Sequence, residues 1–223
     1  MLLCKRNLKI NNRINPVGLM GKGKFSNGKP FVVRGMNHRG YIDCQWGMKA
    51  YRYGLFGSDY NGCGWISAYN ALKLLGEDPS IPAVIYEFER YSVLFGTLGS
   101  TVLGFSHYFK NKGYKTAQLV SPNIQKVENF IHNHDASIIF YFHPAPFKGA
   151  HFAAAAPFEN KIIFFNALNR SLRFTNSFAD GIPIYRVPVF QDVRTLDEFV
   201  ADEKKYYRSR IFPSPFWVIG ISK

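Results

Sequence analysis

The fold is decided by the stretch Asn61-Gly62-Cys63-Gly64-Trp65-Ile66-Ser67-Ala68-Tyr69-Asn70-Ala71-Leu72. Its apolar residues recur at helical spacing and, with the stop signal at Gly76, predict a helix over residues 64–75. Cys63 therefore lies where a glycine-rich loop meets the positive end of a helix dipole. That position favours the thiolate, which is the nucleophilic form of cysteine.

The neighbours of Cys63 suit a nucleophile. Gly62 and Gly64 predict a sharp backbone turn before the helix. The first-turn N–H groups could stabilise an oxyanion, and each good donor is worth roughly 3–4 kcal/mol. Asn61 is expected to add a side-chain amide donor to this oxyanion site. The alternative is that Cys63 is a small buried apolar residue at a helix start, which is the commonest role of cysteine.

Two other cysteines compete with Cys63. Cys44 is the rival nucleophile, but no clear helix follows it, and the carboxylate of Asp43 beside it would disfavour its thiolate. Cys4 lies in a basic N-terminal segment. Three cysteines without a Cys-x-x-Cys pair predict free thiols in a reducing compartment. We expect neither a metal site nor a cofactor.

The composition predicts a folded protein with a substantial core. The chain has 223 residues, of which 47% are hydrophobic and 17% aromatic. No apolar run approaches the roughly 20 residues that cross a bilayer, and the first residues lack the apolar stretch of a secretory signal. We therefore expect a cytoplasmic protein, and secretion by another route stays open.

Positive charge is concentrated at the start of the chain. Residues 1–52 hold eleven Lys or Arg and one acid, whereas the other 171 residues hold seventeen bases and fourteen acids. Within the first 40 residues only 31–33 looks like a strand. The sequence thus predicts a basic, largely irregular arm over residues 1–45, followed by one domain over residues 46–223. The arm could contact a polyanion weakly, or be a solubilising or autoinhibitory extension.

Helical patterns come first along the chain and strand patterns follow, which predicts an α+β fold. The helix of Cys63 then belongs to an N-terminal helical part that packs on an antiparallel sheet. Further helices are predicted at 81–91, 100–111 and 122–132. Strands are predicted at 136–142, 151–156, 161–166, 185–190 and 216–221.

His151 is the best candidate for a general base among six histidines. The alanines at 153–156 give its strand little bulk, so that a helix could pack closely and bring Cys63 within reach. His143, at the end of the preceding predicted strand, is the outside alternative.

A hairpin would bring an asparagine to this histidine. With Glu159-Asn160 as a two-residue loop, Asn166 lies diagonally from His151 on the same face, about 7–8 Å away between backbones. Asn166 is then predicted to orient the imidazole by accepting or sharing its ring N–H, which is the third role in a Cys-His-Asn triad. Asn169 and Asn176 are alternatives in looser sequence.

These motifs together resemble the papain-like cysteine peptidases, especially the bacterial branch of bacteriocin-processing, double-glycine peptidases. Residues 61–72 are similar to the active-site helix of that family, and Gly149-Ala150-His151-Phe152 is similar to its Gly-His-Phe strand. Phe165-Asn166 fills the place of its third catalytic residue, and residues 96–114 are similar to its middle region. The resemblance covers about residues 54–170.

The resemblance implies a papain-like fold with Cys63 as nucleophile, His151 as general base and then acid, and Asn166 as the orienting residue. The branch usually has Asp at the third position, whereas this chain has Asn, as papain does. The family often carries a Gln six residues before the cysteine as an oxyanion donor, and that position is Gly57 here. Either Asn61 substitutes for it or the oxyanion site is weaker.

Three functions follow from the sequence. The one we favour is a cysteine peptidase that cleaves peptide or isopeptide bonds through an acyl-enzyme, with a peptide or protein as substrate. The second uses the same groups to transfer the acyl group to an amine, as transglutaminases do. The third is a non-enzymatic module that binds polyanions through the basic arm.

Overall fold

The helix that carries the nucleophile candidate is buried along most of its length. In the computed structural model α1 spans Ser58–Asn61 and α2 follows directly as Cys63–Leu74. Every side chain from Cys63 to Leu72 is buried. The chain leaves the helix through Gly76, whose φ of +88° suits a glycine after a helix C-terminus. The predicted helix over residues 64–75 is confirmed.

The structure describes residues 36, 39–144, 149–167, 178–179, 182–183, 193–206, 208–213 and 215–223. The strands predicted at 31–33 and 185–190 lie outside these residues, and so does most of the basic arm. The domain boundary after residue 45 therefore stays a prediction. Within the described residues, no helix is both long enough and apolar enough to cross a membrane.

The other predicted helices are also present. The helix predicted over residues 81–91 ends earlier, in a separate 3-10 turn at Glu89–Tyr91. A sixth helix near the C-terminus was not predicted. The helices after α2 are α3 (Ile81–Phe88), α4 (Val102–Asn111), α5 (Ile124–His132) and α6 (Leu196–Tyr206). Further 3-10 turns lie at Gln45–Met48 and Leu94–Gly96.

The centre of the fold is a six-stranded antiparallel sheet with the order β3-β10-β4-β5-β6-β9. Its strands are β3 (Lys115–Ser121), β4 (Ala136–Phe142), β5 (Ala150–Phe158), β6 (Lys161–Phe165), β9 (Val193–Arg194) and β10 (Phe216–Ser222). Two small hairpins pair β1 (Arg52–Tyr53) with β2 (Phe56–Gly57) and β7 (Phe178–Ala179) with β8 (Ile182–Pro183). Helices followed by an antiparallel sheet confirm the α+β class.

Helices cover both faces of this sheet because its central strands are apolar on both sides. On one face Phe152 and Ile219 pack with α2, α3 and α4. On the other face Ala153 and Val218 pack with α5 and α6. The predicted packing of the cysteine helix on the sheet is confirmed, and the second helical layer is a finding of the structure.

The chain that precedes the 3-10 turn at Gln45–Met48 is fastened to α2 by two side chains. The hydroxyl of Tyr69 donates to the carbonyl oxygen of Gly40 at 3.1 Å, and Asn70 makes two further bonds. The amide of Asn70, fully buried in α2, accepts a hydrogen bond from the N–H of Ile42 and donates one to its carbonyl, both at 2.8 Å. Ile42 is itself fully buried. This pair satisfies two main-chain groups that would otherwise be buried without a partner.

We expect Asn70→Ala to lower the free energy of unfolding by about 2–4 kcal/mol, because both main-chain groups of Ile42 lose their partner in a dry environment. Urea titration followed by tryptophan fluorescence measures this. Asn129→Ala, on the exposed side of α5, is the matched control and should change stability by less than about 0.5 kcal/mol. Equal stability of the two variants would show that the contact of Asn70 contributes nothing.

Candidate active site

Cys63 is the first residue of α2, and other groups lie close to the main chain on both sides of it. A Cβ at Gly62 would lie 2.5 Å from the carbonyl oxygen of Ser58, and a Cβ at Gly64 would lie 2.2 Å from Oγ of Ser100. Gly62 has an ordinary φ of −78°. The backbone at Gly62 therefore does not need the conformational freedom of glycine. Both glycines are required because neighbouring groups approach closely.

The sulfur of Cys63 is surrounded by main-chain N–H groups. The N–H groups of Phe152, Gly64 and Cys63 itself lie near it, lower the pKa of the thiol and so favour the thiolate. Burial is the larger effect, however, and raises the pKa of the Cys63 thiol above its ordinary value. Only 9% of the residue is exposed. The helix dipole therefore does not by itself produce a thiolate, and the resting form is the neutral thiol.

His151 lies in β5, opposite Tyr141 of β4. Its Nε2 is 2.5 Å from the main-chain carbonyl oxygen of Asn166. A carbonyl can only accept, so Nε2 carries the proton and Nδ1 of the neutral ring is left as the basic nitrogen. Burial lowers the pKa of His151 from 6.5 to about 4, which outweighs the opposing effect of the Asn166 carbonyl.

The thiol and the imidazole reach the site from different faces of β5. Cys63 belongs with Phe152 to the apolar cluster on the α2 side, whereas His151 alternates with Phe152 and shares the parity of Ala153 on the α6 side. Both residues line one cavity, and no hydrogen bond joins these two described residues. Catalytic hydrogen bonds often close only when substrate binds.

Asn166 contacts the histidine through its main chain. The predicted hairpin register is confirmed, because Phe158 pairs with Lys161 across a two-residue turn. Asn166 follows β6 with a φ of +57°, in the left-handed region that asparagine tolerates. Its side chain donates from Nδ2 to Oε1 of Gln45 at 3.3 Å, and its Oδ1 accepts from the N–H of Gln45 at 3.1 Å. The side-chain amide therefore fixes the loop, and the carbonyl holds the ring.

Asn61 has a structural role that competes with the predicted oxyanion role. Its Nδ2 donates to the carbonyl oxygens of Tyr53 at 3.1 Å and Gly96 at 2.6 Å. Oδ1 of Asn61, which is buried, has no hydrogen-bond partner among the described residues. To donate to an oxyanion, Asn61 would have to give up one of these two bonds.

Three residues of the site were missed or undervalued by the sequence reasoning. Gln45 lines the cavity, where its Nε2 donates to the carbonyl oxygen of Asp59 at 3.2 Å. His143 also lines it, with its ring centre 5.6 Å from that of His151. Glu203 is fully buried on α6 and faces His143. No spacing rule links these residues to Cys63.

The shared cavity has a volume of about 1440 Å³. Its lining includes Cys63, His151, Asn166 and Asn61, so all four predicted site residues meet there. Cys44, the rival nucleophile, is buried and also lines it. Within the described part of the chain, no three His, Cys, Asp or Glu residues are grouped to hold a metal ion.

Similarity to known proteins is found among solved structures. No family model matches the chain, and no curated protein matches it. Among solved structures, the chain is similar to the peptidase domain of Streptococcus ComA, a bi-functional ABC transporter involved in a quorum sensing pathway. The identity is 15% and the TM-score 0.40, over 74% of this chain and 93% of that one.

In the Asn166→Gly variant we expect Cys63 to be alkylated at a rate within about tenfold of the wild-type rate. Glycine adopts the left-handed conformation and keeps the carbonyl that contacts His151. Asn166→Ala removes the same side chain but strains the backbone, and should react more slowly than Asn166→Gly. The measurement is the rate of iodoacetamide addition at pH 7, read by peptide mass. A loss of about 10²-fold or more in Asn166→Gly would instead assign the role to the amide side chain.

We expect His151 to make folding stability depend on pH between 6.5 and about 4. In that window the unfolded chain binds a proton that the folded chain does not, so stability falls as the pH falls. His151→Gln keeps an N–H donor and cannot titrate. Its free energy of unfolding should fall less steeply over the same window, as measured by urea titration at several pH values. Parallel profiles for the two proteins would contradict the lowered pKa of His151.

Proposed function

We propose that this chain is a papain-like cysteine peptidase that cleaves peptide or isopeptide bonds through an acyl-enzyme. One observation carries the proposal. The sulfur of Cys63, at a helix N-terminus and near main-chain N–H groups, opens on the same cavity as a neutral imidazole whose Nε2–H is held by the Asn166 carbonyl. A thiol with a positioned base beside a large cavity is the arrangement of nucleophilic acyl transfer.

The two groups begin neutral, and the proton moves between them. Nδ1 of His151 takes the proton of the Cys63 thiol as the sulfur attacks the substrate carbonyl carbon and forms a tetrahedral intermediate. The imidazolium then gives that proton to the leaving amine as the C–N bond breaks, leaving a thioester on Cys63. Water, deprotonated by His151, attacks the thioester, and the acid product leaves as the thiol is reformed.

The oxyanion of the intermediate requires donors. The main-chain N–H of Cys63 lies at the first turn of α2 and is already directed to the sulfur. The second N–H of the Gln45 side-chain amide is the candidate partner, because Gln45 lines the cavity and its Nε2 donates to a single acceptor among the described residues. We therefore assign the donor role to Gln45 in preference to Asn61, whose amide hydrogens bind Tyr53 and Gly96.

The cavity supports a peptide as substrate. Its volume of about 1440 Å³ exceeds the 300–1,000 Å³ typical of small-molecule sites. Exposed apolar side chains stand at its lining, namely Tyr60 at 71%, Leu98 at 66% and Phe142 at 49% exposure. Such side chains suit the apolar residues of an extended peptide.

We expect a peptide vinyl sulfone to form a covalent adduct at Cys63, because the reagent needs an activated thiol in a peptide-binding cavity. Mass spectrometry of the digested protein locates the adduct. Cys63→Ala should abolish it, and Cys44→Ser is the matched control in which the adduct at Cys63 remains. An adduct on Cys44, or labelling of Cys63 that is equal in the folded protein and in urea, would contradict the proposal.

The acceptor decides between the two acyl-transfer functions. A peptide ester incubated with the protein should give the free acid even in excess primary amine. If the amide product predominates instead, the chain is an acyltransferase that uses the same groups.

A further inference from the structure

Glu203 is a carboxylate without exposure to solvent, and it reaches the site from α6. Its Oε1 accepts the hydroxyl of Tyr141 at 3.2 Å, and its Oε2 lies 3.5 Å from Nδ1 of His143. Oε2 makes no hydrogen bond within the described part of the chain. Among the described residues, only His143 stands within ion-pair distance of this carboxylate. A buried carboxyl group with so few partners among the described residues is costly for folding, which calls for a reason to retain it.

His143 connects this carboxylate to the site. Its ring centre lies 5.6 Å from that of His151, and the ring of Tyr141 stands edge-on to both at 5.5 and 5.8 Å. The main chain of His143 is fixed as well, because its N–H donates to the carbonyl of Gly149 at 2.9 Å. Glu203, His143 and His151 therefore follow one another in space along the α6 face of the sheet.

Among the described carboxylates, Glu203 is the one whose charge acts on His151, although Asp43 and Asp59 also line the cavity. During acyl transfer His151 becomes a cation, and the group that contacts its Nε2 is a neutral carbonyl. Among the described residues, the ionisable side chains nearest His151 are Tyr141 from β4, His143 at the end of β4 and Glu203 from α6. Cys63, Asp43 and Asp59 line the rest of the cavity. Of the three on the α6 side, Glu203 is the one carboxyl group.

We propose that the buried Glu203 and the partly buried His143 form a carboxylate–imidazole pair that positions His151 and stabilises its protonated form. Glu203 is then a positioning residue that acts through His143 and by its charge, without touching substrate. The inference rests on the proposed function, because it concerns the base of that same reaction.

The effects of the neighbouring charges on the pKa of His151 agree with this role. Burial lowers the pKa of His151, and a protonated His143 would lower that pKa further, whereas the charge of Glu203 raises it. Removing the charge of Glu203 should therefore make the imidazolium less stable. Fewer molecules would then hold the thiolate of Cys63 paired with a protonated His151 at neutral pH.

The test is the alkylation rate of Cys63 by iodoacetamide in the full chain, measured from pH 5 to about 10, above the usual thiol pKa. At neutral pH the rate reports thiolate paired with imidazolium, and at high pH it reports thiolate alone. We expect Glu203→Gln to lower the ratio of the neutral to the alkaline rate about tenfold, the order expected for one unit charge in a partly buried site. Asp197→Asn, which removes an exposed charge from the same helix, should leave the ratio unchanged.

A second variant keeps the test decisive if Glu203→Gln folds poorly. In E203Q/H143Q two amides that can bond to each other replace the pair, so no buried charge remains. Its ratio should fall as in E203Q, with far-ultraviolet circular dichroism confirming the fold. A wild-type ratio in either folded variant overturns the proposal, and so does unfolding of both, which would make the pair structural. If wild-type Cys63 is no more reactive than Cys44 at neutral pH, the result contradicts the proposed function itself and not only the role of Glu203.

Discussion

The site depends on the close approach of the N-terminus of α2 to the main chain of β5. The main-chain N–H of Phe152 lies near the sulfur of Cys63 and favours its thiolate. On either side of Cys63, Gly62 and Gly64 leave room for Ser58 and Ser100. The thiol is buried in this contact, and burial also lowers the pKa of His151 on the other face of β5. Burial then dominates over the helix dipole, so that two neutral groups, rather than an ion pair, occupy the resting site.

Much of the fold could be predicted because local rules act on short segments. Helices with an apolar face and a glycine or capped end were found near their true bounds, and the hairpin register followed from the two-residue turn after Phe158. β3 was missed because most of its residues are exposed at the sheet edge and show no alternation. α6 was missed although a signal was present, since Thr195 and Glu198 exchange the hydrogen bonds of a capping box.

In the site, the sequence could predict only those residues that belong to a recognisable local motif or to a hairpin. The motifs of Cys63 and His151 and the hairpin brought their positions and that of Asn166 to one cavity. Which atom of Asn166 meets the ring depends on its left-handed backbone, and the sequence does not specify that. Gln45 contacts Asn166 across a separation of 121 positions, and Glu203 of α6 contacts Tyr141 of β4. Tertiary packing alone brings such residues together.

The amide of Asn61 has a consequence for the supply of substrate. It stands two positions before Cys63 and binds the carbonyl of Gly96, within the loop whose Thr97, Leu98 and Gly99 form part of the cavity wall. The wall that receives a ligand and the backbone that carries the sulfur are thus mechanically coupled. A bulky ligand that displaced this loop would also displace the first turn of α2. The reactivity of the Cys63 thiol would then change when the ligand binds in the cavity, before any bond is broken.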